Sequence, residues 1–525
     1  MKKRDILTLL LIILSGSFSF GQVRFDTSFG SGSLGGYKLT DSVTIPSVNG
    51  EPLTILSYEV YSRFDPKNPV DTSLAPSARW YYFRMTGVKN KIIYLSVKNS
   101  EAIRPFYSYD NKNFERFGYD ENSKKGRVVK QFSQDTVYIC HYIPYTYERM
   151  ISKVAEWSKL HGTVHAVIGK SNNGLDIPMI KITDPSVKDR KKTVVWIHGR
   201  SHPSETPGSW HLEGLVNRLL ADNELAASLR KSAIFYVVPF INPDGVEGGY
   251  SRSTATGVNI EINWDRPDSL TMPEVKVLKK TLDSLLKIHK NIPLLLNMHS
   301  QIANSATYWI HDAASTNSGF YKKQLLLSNL TADDCPFYSS QDQSFSQVAP
   351  RYAEGWMWNK VGDRCLAITF ETPYTFFRED PKGSWVSVAN LDSLAGNSFN
   401  AICDYLQLNP AGRYIIDKPS SKSGKWSKAG GDSILFIGSH YYLSSKAGEE
   451  LGYTLRNVPE GIYQVFKWVP GPAAKVSPEG TNRWAPYSTI ENKKRGKITV
   501  KLRSEMAGEP FNAILLKKIS TVSAF

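Results

Sequence analysis

The chain has 525 residues, with 64 Lys and Arg against 49 Asp and Glu (formal net charge +15), 41% apolar and 12% aromatic residues. That length exceeds what one hydrophobic core supports and that composition excludes a disordered or fibrous chain, so two to four globular domains are expected. The positive excess is scattered; its densest cluster, Lys188 to Lys192, reads as a solvated face, and without a longer basic stripe interleaved with aromatics no nucleic-acid partner is expected.

At the N-terminus, Lys2, Lys3 and Arg4 precede the apolar run Ile6–Leu14 and a small-residue stretch ending at Gly21. This is the pattern of a cleavable signal peptide over residues 1–21, with an apolar run too short to span a bilayer. No later segment reaches spanning length, so the expected product is secreted or periplasmic, with no integral membrane segment. Residues 22–148 carry short alternating runs, such as Trp80–Arg84 and Lys91–Val97, separated by Gly, Asn, Asp and Pro clusters. They predict an antiparallel N-terminal β-domain. Cys140, Cys335, Cys365 and Cys403 are few, far apart and without C-x-x-C spacing, so buried free thiols are expected rather than a cysteine metal site.

Residues 149–410 are different in kind. Apolar, β-rich runs at Thr193–Ile197, Ala233–Ile241, Pro293–Met298 and Cys365–Phe370 alternate with helical patterns. They predict an α/β fold with a mixed, mostly parallel sheet and flanking helices. Close behind these runs stand four polar signatures: His202 to Glu205, Asn242 to Gly245, His299 with Ser300, and Glu371 with Thr372. Groups just beyond the carboxyl ends of parallel strands gather in one crevice, however distant in sequence. Two imidazoles and a carboxylate form a three-donor set that leaves the fourth position of zinc open to water. His202 and Glu205 lie three apart in a tight loop, before Pro207 and the helix-spaced run Trp210–Leu220, and both side chains can turn to one point. His299 would complete the set, leaving Glu371 free as a base. A His-x-x-Glu pair alone says little; the joint pattern carries the reading.

Beyond this region, Pro419–Lys425 and Ala429–Gly431 read as a linker. Strand signals at Ser433–Ile437, Ile462–Phe466 and Lys497–Lys501 then predict a C-terminal β-domain over residues 432–525.

Four segments, in order, resemble the zinc metallocarboxypeptidase family. Gly199–Trp210 resembles its zinc loop, and Asn242–Val246 with Tyr250–Arg252 and Gly257–Asn259 its substrate-positioning segment. Asn297–Ser300 resembles its third-ligand strand, and Ile368–Thr372 its catalytic-glutamate strand. Phe25–Phe29, Arg79–Phe83 and Tyr142–Tyr147 are similar to the N-terminal β-domain of the cytosolic-carboxypeptidase branch. The resemblance implies a carboxypeptidase-like domain, preceded and followed by β-rich domains and acting on a peptide or protein substrate. It implies one Zn2+ per chain held by His202, Glu205 and His299, Glu371 as general base and acid, and Arg252 polarising the scissile carbonyl. It also implies Tyr352 as the substrate-capping tyrosine and Trp356 at the specificity pocket, beside the plainer reading of Trp356 as a core residue.

One segment departs from the family pattern. After Gly257-Val258-Asn259 the family docks the substrate's free carboxylate on an Asn-Arg pair, where this chain has Glu261 and Ile262. With a shift, Asn263 and Arg266 would take those two roles. A carboxylate in that place repels a substrate carboxylate. Three readings therefore stand: an exported zinc carboxypeptidase first; a zinc amidase or endopeptidase, for instance on cell-wall peptides; and a non-catalytic binding homologue, against which the complete ligand set and Glu371 argue.

Overall fold

The computed structural model describes residues 22–46, 50, 52–69, 71–99, 104–122, 126–377, 385–431, 434–472 and 484–520; the signal-like segment 1–21 lies outside them. At the centre is an eight-stranded sheet. Its order is Thr163–Lys170, Asp176–Ile182, Ala233–Val238, Thr193–Gly199, Leu294–Gln301, Leu366–Pro373, Thr307–His311 and Ser344–Ser346. The four middle strands pair parallel. An antiparallel hairpin closes one side, and Thr307–His311 joins the other side antiparallel.

The apolar runs become central strands because both faces of the sheet are covered. Alternation along one strand divides its residues between two cores. Val195 and Ile197 pack under the helices Thr206–Leu220 and Val388–Tyr405, with Leu212, Leu215, Leu394 and Ile402. Val194 and Trp196 face the helices Pro273–His289 and Ala353–Val361, with Val275, Leu278, Leu282 and Met357. The central part is thus three layers, helix on sheet on helix.

Before it, a five-stranded and a four-stranded sheet enclose Tyr58, Val60, Phe83, Ile93 and Val137. This part is not wholly antiparallel: Leu53–Tyr61 and Ile92–Lys98 pair parallel. Parallel neighbours need a crossover, and the chain between them supplies one by placing Tyr82–Thr86 in the other sheet. After the central part, antiparallel sheets enclose Tyr453, Tyr463, Val465, Val500 and Leu502. The stretch that reads as a linker contributes two of their strands. Ser421–Ser423 pairs with Glu450–Val458, and Trp426–Ala429 with Tyr441–Ser444. Five of their seven side chains are exposed and polar, so only the partner strand reveals the pairing. Cys140, Cys365 and Cys403 are buried free thiols, and Cys335 is a half-buried one. Among the described residues no helix is long and apolar enough to cross a membrane.

Candidate active site

The zinc-like loop begins where the strand Thr193–Gly199 ends. Arg200, at φ 64°, turns the chain. Its guanidinium donates to Pro203 O (2.9 Å) and Ser209 Oγ (2.8 Å), closing the loop around His202 and Glu205. The helix Thr206–Leu220 starts directly after Glu205, with Pro207 in its first turn, where a missing N–H costs nothing. Gly208 lets this helix approach the next strand: a Cβ there would stand 2.9 Å from His299 O. On the sheet, His299 is in parallel register with Glu371, so both side chains leave on the same face.

These residues meet. His202 Nδ1 lies 2.7 Å from Glu205 Oε1, and His299 Nδ1 lies 2.8 Å from Glu205 Oε2. The two imidazole centroids are 4.9 Å apart. Ser300 N–H donates to Glu205 Oε2 at 3.1 Å. His202, Glu205 and His299 are each no more than 2% exposed. On the other side of His202, Glu261 Oε2 approaches Nε2 to 3.0 Å. Arg252 bridges the carboxylates, with Nη2 at 3.3 Å from Glu261 and Nη1 at 3.6 Å from Glu205. Glu371 Oε1 accepts from Trp309 Nε1 at 3.0 Å.

The electrostatics follow from three carboxylates crowded on two imidazoles out of water. Burial pushes the Glu205 carboxyl up, but His202 and His299 override it and hold it well below the usual range. Burial likewise raises Glu261, and the same imidazoles with Arg252 bring it down to about 2. Burial alone would lower His299; Glu205, with Glu261 and Glu371, raises it to about 10. Glu371 goes the other way, pushed up to about 7 by burial and by the charge on Glu205.

A cavity of about 650 Å³ opens beside this cluster, with Arg79, Arg252, Glu261, Trp309, Tyr352 and Glu371 in its wall. The structure therefore brings together His202, Glu205, His299, Glu371 and Arg252, and sets Tyr352 at the same cavity. It does not bring Asn263 or Arg266 there. Asn263 is buried, donating to Leu270 O (3.1 Å) and accepting from Met272 N–H (2.7 Å). Arg266 Nη2 pairs with Asp71 Oδ2 at 3.3 Å. The shifted dock expected of these two is corrected: both side chains are occupied by local structure. The Trp356 ring is tilted on Trp264 (5.7 Å between centroids) and packs, partly buried, against the second core, in line with the plainer reading. Sequence reasoning missed Trp309, which no motif marks, and saw Glu261 only as a departure, not as a neighbour of His202.

The donors fit a dication. His202, Glu261 and His299 offer ligand atoms all within 4.8 Å of one another, and Glu205 touches both Nδ1 atoms. A mixed set of imidazole nitrogens and carboxylate oxygens suits zinc. His299 Nε2 is buried with no hydrogen-bond partner, so the ring is not a satisfied structural histidine. The raised His299 and the three carboxylates mark a negative pocket that a bound cation would neutralise.

Comparison with known proteins finds carboxypeptidases. Cytosolic carboxypeptidase 6 of Caenorhabditis elegans is 26% identical over 390 residues, covering 70% of this chain and 82% of the relative. Cytosolic carboxypeptidase 1 of Xenopus laevis is 24% identical over 333 residues, 52% of this chain. Several relatives are spanned over only 26% to 55% of their own length. A crystal structure of a metallo-carboxypeptidase from Burkholderia cenocepacia shares the fold, with a TM-score of 0.59 at 20% identity, covering 73% of this chain and 99% of that one. Residues 148–376 match the family described as zinc carboxypeptidase. The chain thus carries a zinc carboxypeptidase domain, homologous to that of the cytosolic carboxypeptidases.

Proposed function

We propose that the chain is a zinc metallocarboxypeptidase that hydrolyses the last bond of a peptide or protein. The observation that carries the reading is the contact of Glu205 with both imidazoles, with Glu371 in register beside His299. In this reading His202, Glu205 and His299 hold one zinc ion. Bound zinc supplies a Lewis acid and lowers the pKa of water toward about 7. Glu371 takes the proton from the attacking water and returns it to the leaving amine; a carboxyl pushed up to about 7 suits both transfers. Trp309 fixes the direction of that carboxylate. Arg252, its side chain 35% exposed, offers its guanidinium to the carbonyl oxygen as negative charge grows on it. Tyr352 stands at the cavity wall to cap the substrate.

A second reading, zinc amidase or endopeptidase, is favoured by one observation: Glu261 occupies the cleft, while Asn263 and Arg266 are engaged elsewhere. Mass spectrometry of a peptide set with free and amidated C-termini, run beside metal analysis, separates the readings. Release of single residues from free termini alone supports the carboxypeptidase. Equal cleavage of both sets supports the amidase. A chain that keeps no zinc and cleaves neither is a binding homologue.

Export is proposed on residues 1–21 alone; the relatives named cytosolic point the other way. N-terminal sequencing of protein made in a bacterium with a periplasm decides it. A mature chain starting at Gln22 supports export, and an intact Met1 retained in the cytoplasm overturns it.

A further inference from the structure

The segment that carries Arg252 is held from outside its own domain. The Asp65 carboxylate accepts three successive main-chain N–H groups: Ser251 at Oδ1 (2.7 Å), then Arg252 and Ser253 at Oδ2 (2.7 and 3.0 Å). Asp65 is 5% exposed. Next to it, Ser251 Oγ accepts from the main-chain N–H groups of Arg79 (2.8 Å) and Trp80 (3.0 Å). Ser251 O accepts from Ser204 N–H (3.1 Å) and Ser204 Oγ (2.8 Å), inside the loop of His202 and Glu205. Arg63 lies over the Tyr250 ring at 4.5 Å and donates to Gly249 O at 3.1 Å. Gly257, at φ +87°, admits Lys67 O, which would stand 2.3 Å from a Cβ.

Surface loops normally leave their amides to water and move. Here three consecutive amides converge on one buried carboxylate, and charge-assisted bonds of this kind are about twice as strong as neutral ones. The main chain of Arg252 is thereby fixed at its own residue and on both sides. Its guanidinium, by contrast, is held among the described residues by the longer contacts to Glu261 and Glu205, which a substrate oxygen can replace. We propose that Asp65 is a positioning residue: through it the N-terminal β-domain sets Arg252 against the zinc-like loop, so that hydrolysis depends on a carboxylate outside the catalytic domain. The inference rests on the reading of Arg252 given above.

The test uses the full chain and a double-mutant cycle, with a free-terminus peptide from the set above as probe. Misplacement of a reacting group by about 1 Å costs up to about 10²-fold in rate. Asp65→Asn is therefore expected to lower kcat at least about tenfold with little change in KM or zinc content, beside a lower melting temperature from the amides it leaves unpaired. On an Arg252→Ala background the same change is expected to cost nothing further, and hydrogen exchange at residues 251–253 is expected to speed up. Asp65→Glu, which keeps both acceptor oxygens, should recover most of kcat and protection; it also carries the cycle if Asp65→Asn does not fold. Equal losses on both backgrounds would reduce Asp65 to a structural tether and overturn the proposal, as would unchanged exchange at 251–253. If Arg252→Ala itself turns over at the wild-type rate, the reading of Arg252 fails and the proposal with it. That result differs from failure of the clamp alone, in which Arg252→Ala is slow and Asp65→Asn is not.

Discussion

Two carboxylates compete for the imidazoles, and their contacts differ. Glu205 reaches Nδ1 of both histidines, whereas Glu261 reaches only Nε2 of His202. His202→Ala, His299→Ala and Glu205→Ala are accordingly expected to lose zinc, measured by atomic emission after dialysis, while Glu261→Ala keeps it. A full zinc equivalent in Glu205→Ala would move the third donor to Glu261. Glu371→Gln removes the proton carrier without touching these donors. It should keep metal and melting temperature and lose about 10²–10⁴-fold in turnover, the range for a general acid–base; near-normal turnover would assign the proton to another group. Glu261 also bears on specificity, since its charge faces the cavity. Glu261→Gln should raise cleavage of free relative to amidated termini, and Arg266→Ala, already paired with Asp71, should leave that ratio alone. An unchanged ratio in Glu261→Gln removes the residue from the specificity argument.

Elements position these side chains through two close approaches. The parallel register of Leu294–Gln301 with Leu366–Pro373 places His299 beside Glu371. The helix Thr206–Leu220 comes close enough to this strand that Gly208 N–H donates to Ser300 Oγ at 2.8 Å. On helix propensity alone, Gly208→Ala would stabilise by about 0.5–1 kcal/mol. The contact predicts the opposite, because the new Cβ would press on the His299 carbonyl and drive loop and strand apart. We expect Gly208→Ala to release zinc to a chelator faster than wild type; equal release and a higher melting temperature would show that the helix absorbs the methyl.

For the whole molecule, one apolar cluster runs through all three parts, joining Trp80 and Tyr142 to Leu215 and Ile368 and on to Trp468 and Leu515. The C-terminal part is further tied to the helix Val388–Tyr405. Arg413 Nε donates to Asp404 Oδ1 at 2.6 Å, and Trp484 Nε1 to Asp404 Oδ2 at 3.1 Å. Nearby, Asp333 accepts the Trp484 main-chain N–H at 3.1 Å. Burial, helped by the charge on Asp404, pushes the Asp333 carboxyl up from 3.8 to about 6. Between those values the folded chain holds a proton that the unfolded chain has released, so this group's contribution to stability falls as pH rises through that window. Asp333→Asn should therefore raise the melting temperature at neutral pH and flatten its decline between pH 3.8 and about 6. Parallel melting curves for variant and wild type would exclude Asp333 as the source.

The catalytic layers and the principal site residues were legible in the amino-acid sequence because they follow from short-range rules. Apolar runs without alternation mean strands covered on both faces, and reactive groups sit just past their ends; that logic gathered His202, Glu205, His299 and Glu371 as one set, and the family resemblance added Arg252. The pairing of Ser421–Ser423 and Trp426–Ala429 was not legible, since exposed strands carry the same polar residues as linkers. Nor was the fate of Asn263 and Arg266, whose partners Met272 and Asp71 decide that they serve local structure. Trp309 and Asp65 carry no motif at all. They reach the site from an antiparallel strand and from the N-terminal part of the chain, through a few hydrogen bonds between distant segments. Such bonds leave no periodicity in the chain and exist only once the three parts have closed on a common core.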